Sequence, residues 1–274
     1  MPDEWRSIKL LMLYGRRLHR KPVLTMNWNF RHRLKSDAPL IGTMLTLSTP
    51  AIAEVLAAAG FDWLFIDNEH GAMGTQEIQS VLQAVDHQLP CVVRIAAPND
   101  VSVKKSLDVG AAGVIVPAVN TAKQAEEMVS AARYAPQGSR GVGLARANTY
   151  GMKFAESVAS ANDEIALIVQ CEHAESVENI EAIAKVPGLD GVLIGPYDLS
   201  ASYGKMGQLD DPQIVEAIDH VTKTCLDADV PLGIFGLTAD AVRPYIQRGY
   251  SLIVAGVDTT LLGKAAKTIV ADLQ

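Results

Sequence analysis

The chain has 274 residues, of which 49% are hydrophobic and 20% charged, a composition that supports one sizeable core. Its net charge of −7 argues against a nucleic-acid partner, which needs a basic face. No apolar run approaches the roughly 20 residues that span a bilayer, so we expect a soluble, cytoplasmic protein without a membrane partner. The scattered cysteines Cys91, Cys171 and Cys225 form no CxxC pair, which excludes a disulfide framework or a cysteine zinc cluster.

The N-terminal segment differs in charge from the rest of the chain. Residues 1–38 hold nine lysines and arginines against three acidic residues, whereas the remainder holds 15 basic and 28 acidic residues. The Arg-rich, partly amphipathic stretch WRSIKLLMLYGRRLHRKP is compatible with a membrane-surface or targeting helix. The interpretation we favour is an extension upstream of a working start at Met26. We therefore expect residues 1–25 to lie outside the native fold and residues 26–274 to form a single domain.

After residue 38 the chain alternates short β-branched runs with longer helical patterns, which predicts βαβ units around a parallel sheet. The predicted strands cover 40–45, 63–67, 91–95, 113–118, 165–170, 191–195, 232–236 and 252–256. Thr75, Asn99, Thr121 and Thr238 each precede a helical pattern and are predicted N-caps. No GxGxxG or Walker motif follows a strand, which argues against a nucleotide-binding doubly wound sheet. The pattern predicts a (β/α)8 barrel, with its chemistry on the loops after the strands.

The fifth predicted strand runs into VQCEH, whose cysteine, glutamate and histidine suggest a zinc site. Because side chains alternate along a strand, Gln170 and Glu172 share one face, which is expected to point into the barrel mouth. Cys171 and His173 lie on the other face, where Cys171 extends an apolar row suited to packing against outer helices. A zinc site built from these three neighbours is therefore disfavoured.

Charged side chains follow several of the predicted strands and are expected to meet at the mouth. The second strand leads to Asp67, Glu69 and His70, and the third ends at Arg94. The fifth leads to Glu172, and the sixth is followed by Asp198. Carboxylate oxygens suit Mg²⁺ or Mn²⁺ better than zinc, so Glu172 and Asp198 are the candidate metal ligands.

These residue types point to chemistry on a 2-oxo acid. A metal held by two carboxylates leaves positions for the substrate, whose keto oxygen it would stabilise as an enolate forms. Arg94 is expected to hold the same oxygen or the substrate carboxylate. Histidine side chains ordinarily titrate near neutral pH, so His70 is the expected acid/base group, with Asp67 orienting it. A Schiff base on lysine is the other route, and it is disfavoured because no predicted strand ends in lysine.

Five stretches carry a resemblance that runs in order from Met26 to the C-terminus: GFDWLFIDNEH, VVRIAAPND, RGVG, GVLIGPYDLSASYG and VAGVDTTLL. They closely resemble the HpcH/HpaI family of class II, metal-dependent 2-oxo-acid (pyruvate) aldolases. The resemblance implies a TIM barrel of the phosphoenolpyruvate/pyruvate-binding type, with the C-terminal helix exchanged between subunits of a homo-hexamer. It also implies cleavage of 4-hydroxy-2-oxo acids to pyruvate and an aldehyde, with the reverse addition, using magnesium or else manganese or cobalt.

Matched motif by motif, the resemblance implies roles for the mouth residues. His70 would be the catalytic histidine with Asp67 beside it. Arg94 would bind pyruvate and steady its enolate. Glu172 and Asp198 would be the metal ligands.

Further roles concern the substrate and a neighbouring subunit. Gln170 would neighbour the substrate, and Asp108 matches a family aspartate that acts from the adjacent subunit. Asp108 lies near the end of its helix, on the far side of its own barrel, so it can serve only a neighbour. Tyr197 stands where many relatives have Ala or Asn, which puts the identity of the aldehyde in doubt. Tyr197, Phe235 and the loop around Arg146 are expected to form the aldehyde pocket.

Two alternatives to an aldolase stay open. The same metal-enolate site can serve oxaloacetate decarboxylation or a citrate-forming condensation. A barrel that has lost catalysis can also serve as a binding or scaffolding protein. Its mark would be erosion of the mouth residues, and none of them is eroded here.

Overall fold

A computed structural model describes residues 29–36 and 38–274. Eight parallel strands close into a barrel in chain order, and the last strand pairs with the first. The strands are β1 (Leu40–Leu45), β2 (Trp63–Asp67), β3 (Cys91–Arg94), β4 (Gly113–Val116), β5 (Ala166–Cys171), β6 (Gly191–Ile194), β7 (Leu232–Gly236) and β8 (Leu252–Val257). The predicted (β/α)8 barrel is confirmed. The predicted extension 1–25 and the start at Met26 lie outside the described residues.

Helices alternate with the strands and surround the barrel. They are α1 (Phe30–Arg33), α2 (Pro50–Ala58), α3 (Thr75–Val85), α4 (Asp100–Asp108), α5 (Ala122–Ala132), α6 (Phe154–Glu164), α7 (Ala174–Glu178), α8 (Ile180–Ile183), α9 (Pro196–Ser202), α10 (Pro212–Asp227), α11 (Ala239–Gln247) and α12 (Asp258–Leu273). A 3₁₀ segment, Arg146–Gly151, precedes α6. Within the part of the chain that the structure describes, no helix is both long and apolar enough to cross a membrane.

Three of the four predicted helix caps are confirmed. The side chains of Asn99, Thr121 and Thr238 each accept a backbone N–H from the first turn of the following helix. The prediction for Thr75 is wrong, because Thr75 is the first residue of α3 and the cap position falls one residue earlier. There the Glu77 carboxylate accepts the backbone N–H of Gly74 at 2.9 Å, so the helix begins without a hydroxyl cap.

Alternation along the strands divides the core into two layers. Inward-facing side chains such as Phe65 and Ile168 fill the barrel, and the helix α1 closes its base by packing Phe30 against Trp63, with ring centroids 5.7 Å apart. Outward-facing side chains pack beneath the helices, and Cys171 lies in that layer, 2% exposed. This arrangement leaves the carboxyl ends of the strands as the open mouth of the barrel.

Candidate active site at the carboxyl ends of the strands

Asp67 and Arg94 form a buried ion pair at the ends of neighbouring strands. Their Cα positions are register partners between β2 and β3, so the parallel pairing itself brings the two side chains together. Arg94 donates from Nε and Nη2 to the two carboxylate oxygens of Asp67, each at 2.9 Å. A doubly bonded guanidinium of this kind is held in one orientation, which suits it to binding a planar carboxylate or a keto oxygen.

The loop after β2 places His70 differently from the expectation. Asp67 accepts the backbone N–H groups of Glu69 and His70 at 3.1 and 3.3 Å, so it orders the loop backbone. The imidazole itself is 71% exposed, and its Nε2 lies 3.7 Å from a carboxylate oxygen of Glu69. Among the described residues the imidazole makes no hydrogen bond to Asp67, and the orienting role of Asp67 stays a prediction.

Glu69 lies on the loop after β2, between Asp67 and His70, and no role for it follows from the sequence. Its carboxylate lies 3.3 Å from Nε of Arg94 and faces the His70 imidazole. Burial raises the pKa of Glu69, Arg94 and His70 oppose that rise, and Asp198 adds to it. The sequence does indicate that Glu69 lies at the mouth, since Glu69 follows Asp67 by two positions at a strand end.

Glu172 follows β5 on the inward face, as predicted. Its Oε1 accepts the backbone N–H of Ala118 at 2.7 Å, and its other oxygen accepts from the side-chain amide of Gln170. A Cβ at Gly195 would lie 3.2 Å from the Glu172 side chain, so glycine allows this close approach. Burial raises the pKa of Glu172 to about 7, and nearby carboxylates add to the rise.

Asp198 lies in the first turn of α9, where Pro196 starts the helix directly after β6. It is close enough to raise the pKa values of both Glu69 and Glu172. Three carboxylates therefore share the mouth with one guanidinium that is already paired. This excess of negative charge is the electrostatic setting in which a divalent cation binds.

The residues present fit a divalent metal. Glu172 and Asp198 offer hard oxygen donors, and Gln170 keeps a buried side-chain oxygen without a hydrogen-bond partner. No three histidine, cysteine or acidic side chains within 29–36 and 38–274 form a complete metal site by themselves. A metal held by only two protein carboxylates, with water and substrate oxygens as its other ligands, is consistent with that result.

Cys171 and His173 take structural positions, as the alternation predicts. The Cys171 thiol lies 3.2 Å from the Ser176 hydroxyl in the outer layer, and burial raises its pKa to about 11. His173 caps helix α7, and its Nδ1 accepts the backbone N–H of Glu175 at 3.1 Å. The side chains of VQCEH thus diverge and do not assemble a zinc site.

Tyr197 and Phe235 both lie at the mouth. Tyr197 is 56% exposed and directly precedes Asp198 on α9. Phe235 is near the end of β7, half-buried against the inner layer. One aromatic side chain therefore lies in the helix after β6 and another near the end of the neighbouring strand β7.

Asp108 and Arg146 lie at the other end of the barrel. Asp108 is the last residue of α4, and helices of such a barrel end on the face opposite the strand ends. Arg146 donates to the carbonyl of Val109 and pairs with Asp86 at the end of α3. Asp108 thus lies at the end of its helix, as the sequence predicts, and the loop around Arg146 lies at the same end of the barrel, so its part in an aldehyde pocket stays a prediction.

No lysine stands on any of the eight strands of the described chain. Lys153 precedes helix α6, and Lys205 follows α9, where it pairs with Asp211 at 2.6 Å. The mouth therefore offers no strand-end amine for a Schiff base.

Comparison with known proteins agrees with this geometry. Residues 40–265 match the HpcH/HpaI aldolase/citrate lyase family model. A hydroxypyruvate/pyruvate aldolase from Deinococcus radiodurans is 41% identical over 248 residues, which cover 89% of each chain. A 4-hydroxy-2-oxo-heptane-1,7-dioate aldolase from Escherichia coli is 39% identical, covering 90% of this chain and 95% of its own. A solved structure from Burkholderia cenocepacia superposes with a TM-score of 0.86 at 36% identity, covering 89% and 98% of the two chains.

Proposed function

The chain belongs to the HpcH/HpaI aldolase/citrate lyase family, and from this premise we propose the reaction that its mouth residues catalyse. It is an aldolase that cleaves 4-hydroxy-2-oxo acids to pyruvate and an aldehyde, and that runs the reverse addition. The observation that carries the proposal is the convergence of Glu69, Glu172 and Asp198 beside the buried Asp67–Arg94 pair.

Glu172 and Asp198 would hold the divalent metal, for which magnesium is proposed, with manganese or cobalt as substitutes. When bound, the cation supplies a Lewis acid that stabilises negative charge on the keto oxygen of pyruvate. Gln170 keeps Glu172 in place through its amide and has an unpartnered oxygen for substrate or water. Metal binding requires the charged form of Glu172, which burial and the neighbouring carboxylates disfavour. A bound cation would offset this penalty by neutralising the charge on Glu172 and Asp198.

Arg94 is proposed to bind pyruvate. A guanidinium has five N–H donors, and two of them are engaged by Asp67. Donors that remain can bind the carboxylate or the keto oxygen of the substrate. Because the pair is buried, the guanidinium does not have to reorganise when substrate arrives.

His70 is proposed to move the proton of the reaction. In the cleavage direction the imidazole accepts the proton of the C4 hydroxyl, and the C4–O group becomes the carbonyl of the aldehyde. The C3–C4 bond breaks, and the electron pair of that bond enters the pyruvate enolate. The exposed imidazole beside Glu69 is accessible to substrate for this step. Tyr197 and Phe235 would border the aldehyde, since they flank the same opening.

Asp108 is proposed to act on the active site of the adjacent subunit in a homo-hexamer, where it would meet His70 of the partner subunit. Apolar side chains are exposed on the loop that runs past helix α4, which supports a covered interface there. They are Val142, Leu144, Tyr150 and Met152, between 53% and 83% exposed. Arg146 anchors this loop to the end of α4 through the Val109 carbonyl.

The proposed function is tested by substrate panels with matched variants. Purified protein with Mg²⁺ should condense pyruvate with one or more aldehydes, and hydroxypyruvate should be tried as a second nucleophile. Glu172→Gln and Asp198→Asn should each lose metal affinity and nearly all turnover. Cys171→Ser, one position from Glu172 but facing the helices, should keep both.

The rival metal-enolate reactions are separated in the same panel. If oxaloacetate is decarboxylated, or condensed to citrate with an acetyl donor, at rates far above aldol cleavage, the aldolase assignment fails. Loss of the metal in Cys171→Ser would overturn the assignment of the ligands.

A further inference from the structure

Arg140 is a buried arginine with unusually incomplete hydrogen bonding. Its side chain is 1% exposed, and it donates from Nη2 to Oδ1 of Asp108 at 2.8 Å. Its Nε and Nη1 are buried without an acceptor within the described residues. Arg133, buried to 2%, instead donates to two backbone carbonyls and to Asp190. Because unsatisfied buried donors cost free energy, Arg140 is a poor choice for stability alone.

Its partner is also poorly placed for stability. Asp108 is the last residue of α4, where the helix dipole disfavours a negative charge. The side chain is 26% exposed, and its Oδ2 makes no hydrogen bond to any described residue. Asp108 therefore has one carboxylate oxygen bonded to Arg140 and one without a partner among the described residues, at the end of the barrel opposite the mouth.

Tyr134 leaves Arg140 little freedom to move. The guanidinium carbon lies 4.6 Å from the centroid of the Tyr134 ring, in a cation–π contact. The backbone of Tyr134 is bonded on both sides to the side chain of Asn162, at 2.7 and 3.0 Å. The Arg140 backbone N–H donates to the carbonyl of Arg133 at 2.9 Å. Ring and backbone together fix the direction in which Arg140 holds Asp108.

A cavity of about 160 Å³ opens beside this pair, lined by Asp108, Tyr134 and Arg140 among others. It lies at the helix ends, away from Glu172 and the other mouth residues. The two unpartnered nitrogens of Arg140 have no accessible surface, so a ligand in this cavity cannot satisfy them. The hydrogen-bonding capacity of Arg140 is thus directed at Asp108 alone.

We propose that Arg140 is a positioning residue that holds the Asp108 carboxylate with Oδ2 directed outward, toward the partner's His70. The inference rests on the proposed function, in which Asp108 completes the active site of the adjacent subunit. Arg140 touches neither substrate nor metal, and it acts through Asp108. Its loss should therefore slow the proton transfer at His70 without weakening the binding of pyruvate.

Paired conservative substitutions separate this role from a structural one. Arg140→Lys keeps the charge but loses the planar guanidinium, so kcat should fall roughly 100-fold while KM for pyruvate stays unchanged. Arg133→Lys removes a guanidinium that is buried to a similar degree but whose Nη1 and Nη2 both donate hydrogen bonds. It should lower the melting temperature more than Arg140→Lys does and leave kcat unchanged. The inference is overturned if Arg140→Lys keeps the wild-type kcat, or if its KM for pyruvate rises in step with the loss.

Mixed oligomers give a second test that does not depend on the stability of one variant. Arg140→Gln subunits mixed with His70→Ala subunits should recover activity, because intact His70 from one chain meets intact Arg140 and Asp108 from the other. Arg140→Gln mixed with Asp108→Asn should recover none, since both defects lie on the same side of every site.

The control mixture keeps the two proposals distinguishable. If His70→Ala and Asp108→Asn fail to complement, the intersubunit site of the proposed function is wrong. If they complement while Arg140→Gln with His70→Ala does not, the role of Arg140 is wrong. Recovery in the Arg140→Gln and Asp108→Asn mixture would equally overturn it.

Discussion

Glu172 is the residue whose chemistry depends most on its surroundings. Burial raises its pKa to about 7, the Ala118 N–H partly offsets the rise, and Glu69 and Asp198 add to it. The metal-free protein therefore holds a proton on this carboxyl below about pH 7. A metal requires the charged form, so binding and deprotonation are linked.

We predict that metal affinity depends on pH through Glu172. As pH falls below about 7, affinity should weaken by up to roughly tenfold per pH unit, because a proton competes for the carboxylate. Calorimetric titration of Mg²⁺ or Mn²⁺ at pH 6, 7 and 8, in buffers of different ionisation enthalpy, measures the affinity and the proton released. An affinity that stays constant over this range would contradict the raised pKa.

The raised pKa of Glu172 also makes the folding stability of the metal-free protein depend on pH. The folded-state pKa of Glu172 lies above the ordinary value of 4.5 for a glutamate, so folding favours the protonated form. The contribution to stability is fully present below pH 4.5 and is lost as pH rises through about 7. Glu172→Gln, which cannot ionise, serves as the control and should lack this part of the pH dependence of the melting temperature.

At the scale of the element, the strand register explains why Asp67 and Arg94 meet. The strands β2 and β3 each end in a charged residue, and their parallel pairing places Asp67 opposite Arg94. Asp67 without Arg94 would be buried without a counter-charge, and Arg94 without Asp67 would keep only the Glu69 carboxylate, 3.3 Å from its Nε. The pair is therefore both a structural requirement of the sheet and the means of fixing Arg94.

We predict that stability and activity separate at this pair. Asp67→Leu alone leaves a buried guanidinium poorly paired and should cost about 3 to 5 kcal/mol of unfolding free energy. Arg94→Met added to it should recover much of that loss, because two apolar side chains of similar size replace the pair. Denaturant unfolding measures the stability, and aldol cleavage should stay abolished in both. Activity in the double variant would show that Arg94 does not bind substrate.

The sequence predicted the strands well and the side-chain pairings poorly. Each strand is a β-branched run bounded by helical patterns, so local residue types suffice to place it. The pairing of Asp67 with Arg94, by contrast, depends on the register between two strands, because the two residues are 27 positions apart in the chain. The location of Arg146 depends on how its loop folds back on α4, which no local pattern encodes. Thr75 was misplaced because a glutamate three residues beyond the cap position took over the capping role.

At the scale of the whole molecule, helix α12 carries an unpartnered apolar surface. Leu262, Ile269, Val270 and Leu273 are 54% to 83% exposed along this helix. Exposed apolar side chains in such a row indicate a surface that another chain covers. The exchange of this helix between subunits stays a prediction of the family resemblance.

We expect the apolar surface of α12 to hold the oligomer together. Ile269→Glu places a charge on that surface and should shift the protein to smaller species in analytical ultracentrifugation. Thr268→Glu adds the same charge one position away, on a side chain that is already polar, and is the matched control. If both variants keep the wild-type sedimentation, α12 does not form the interface.

We propose that a divalent metal held by Glu172 and Asp198, and not a lysine, activates pyruvate. The most direct measurement is the rate of 4-hydroxy-2-oxo acid cleavage by protein stripped with EDTA, before and after Mg²⁺ or Mn²⁺ is returned. The stripped wild-type protein should be inactive and the metal should restore it, whereas Glu172→Gln should stay inactive at the same metal concentration. Full cleavage by the stripped protein, at a rate that added metal does not change, would contradict the account.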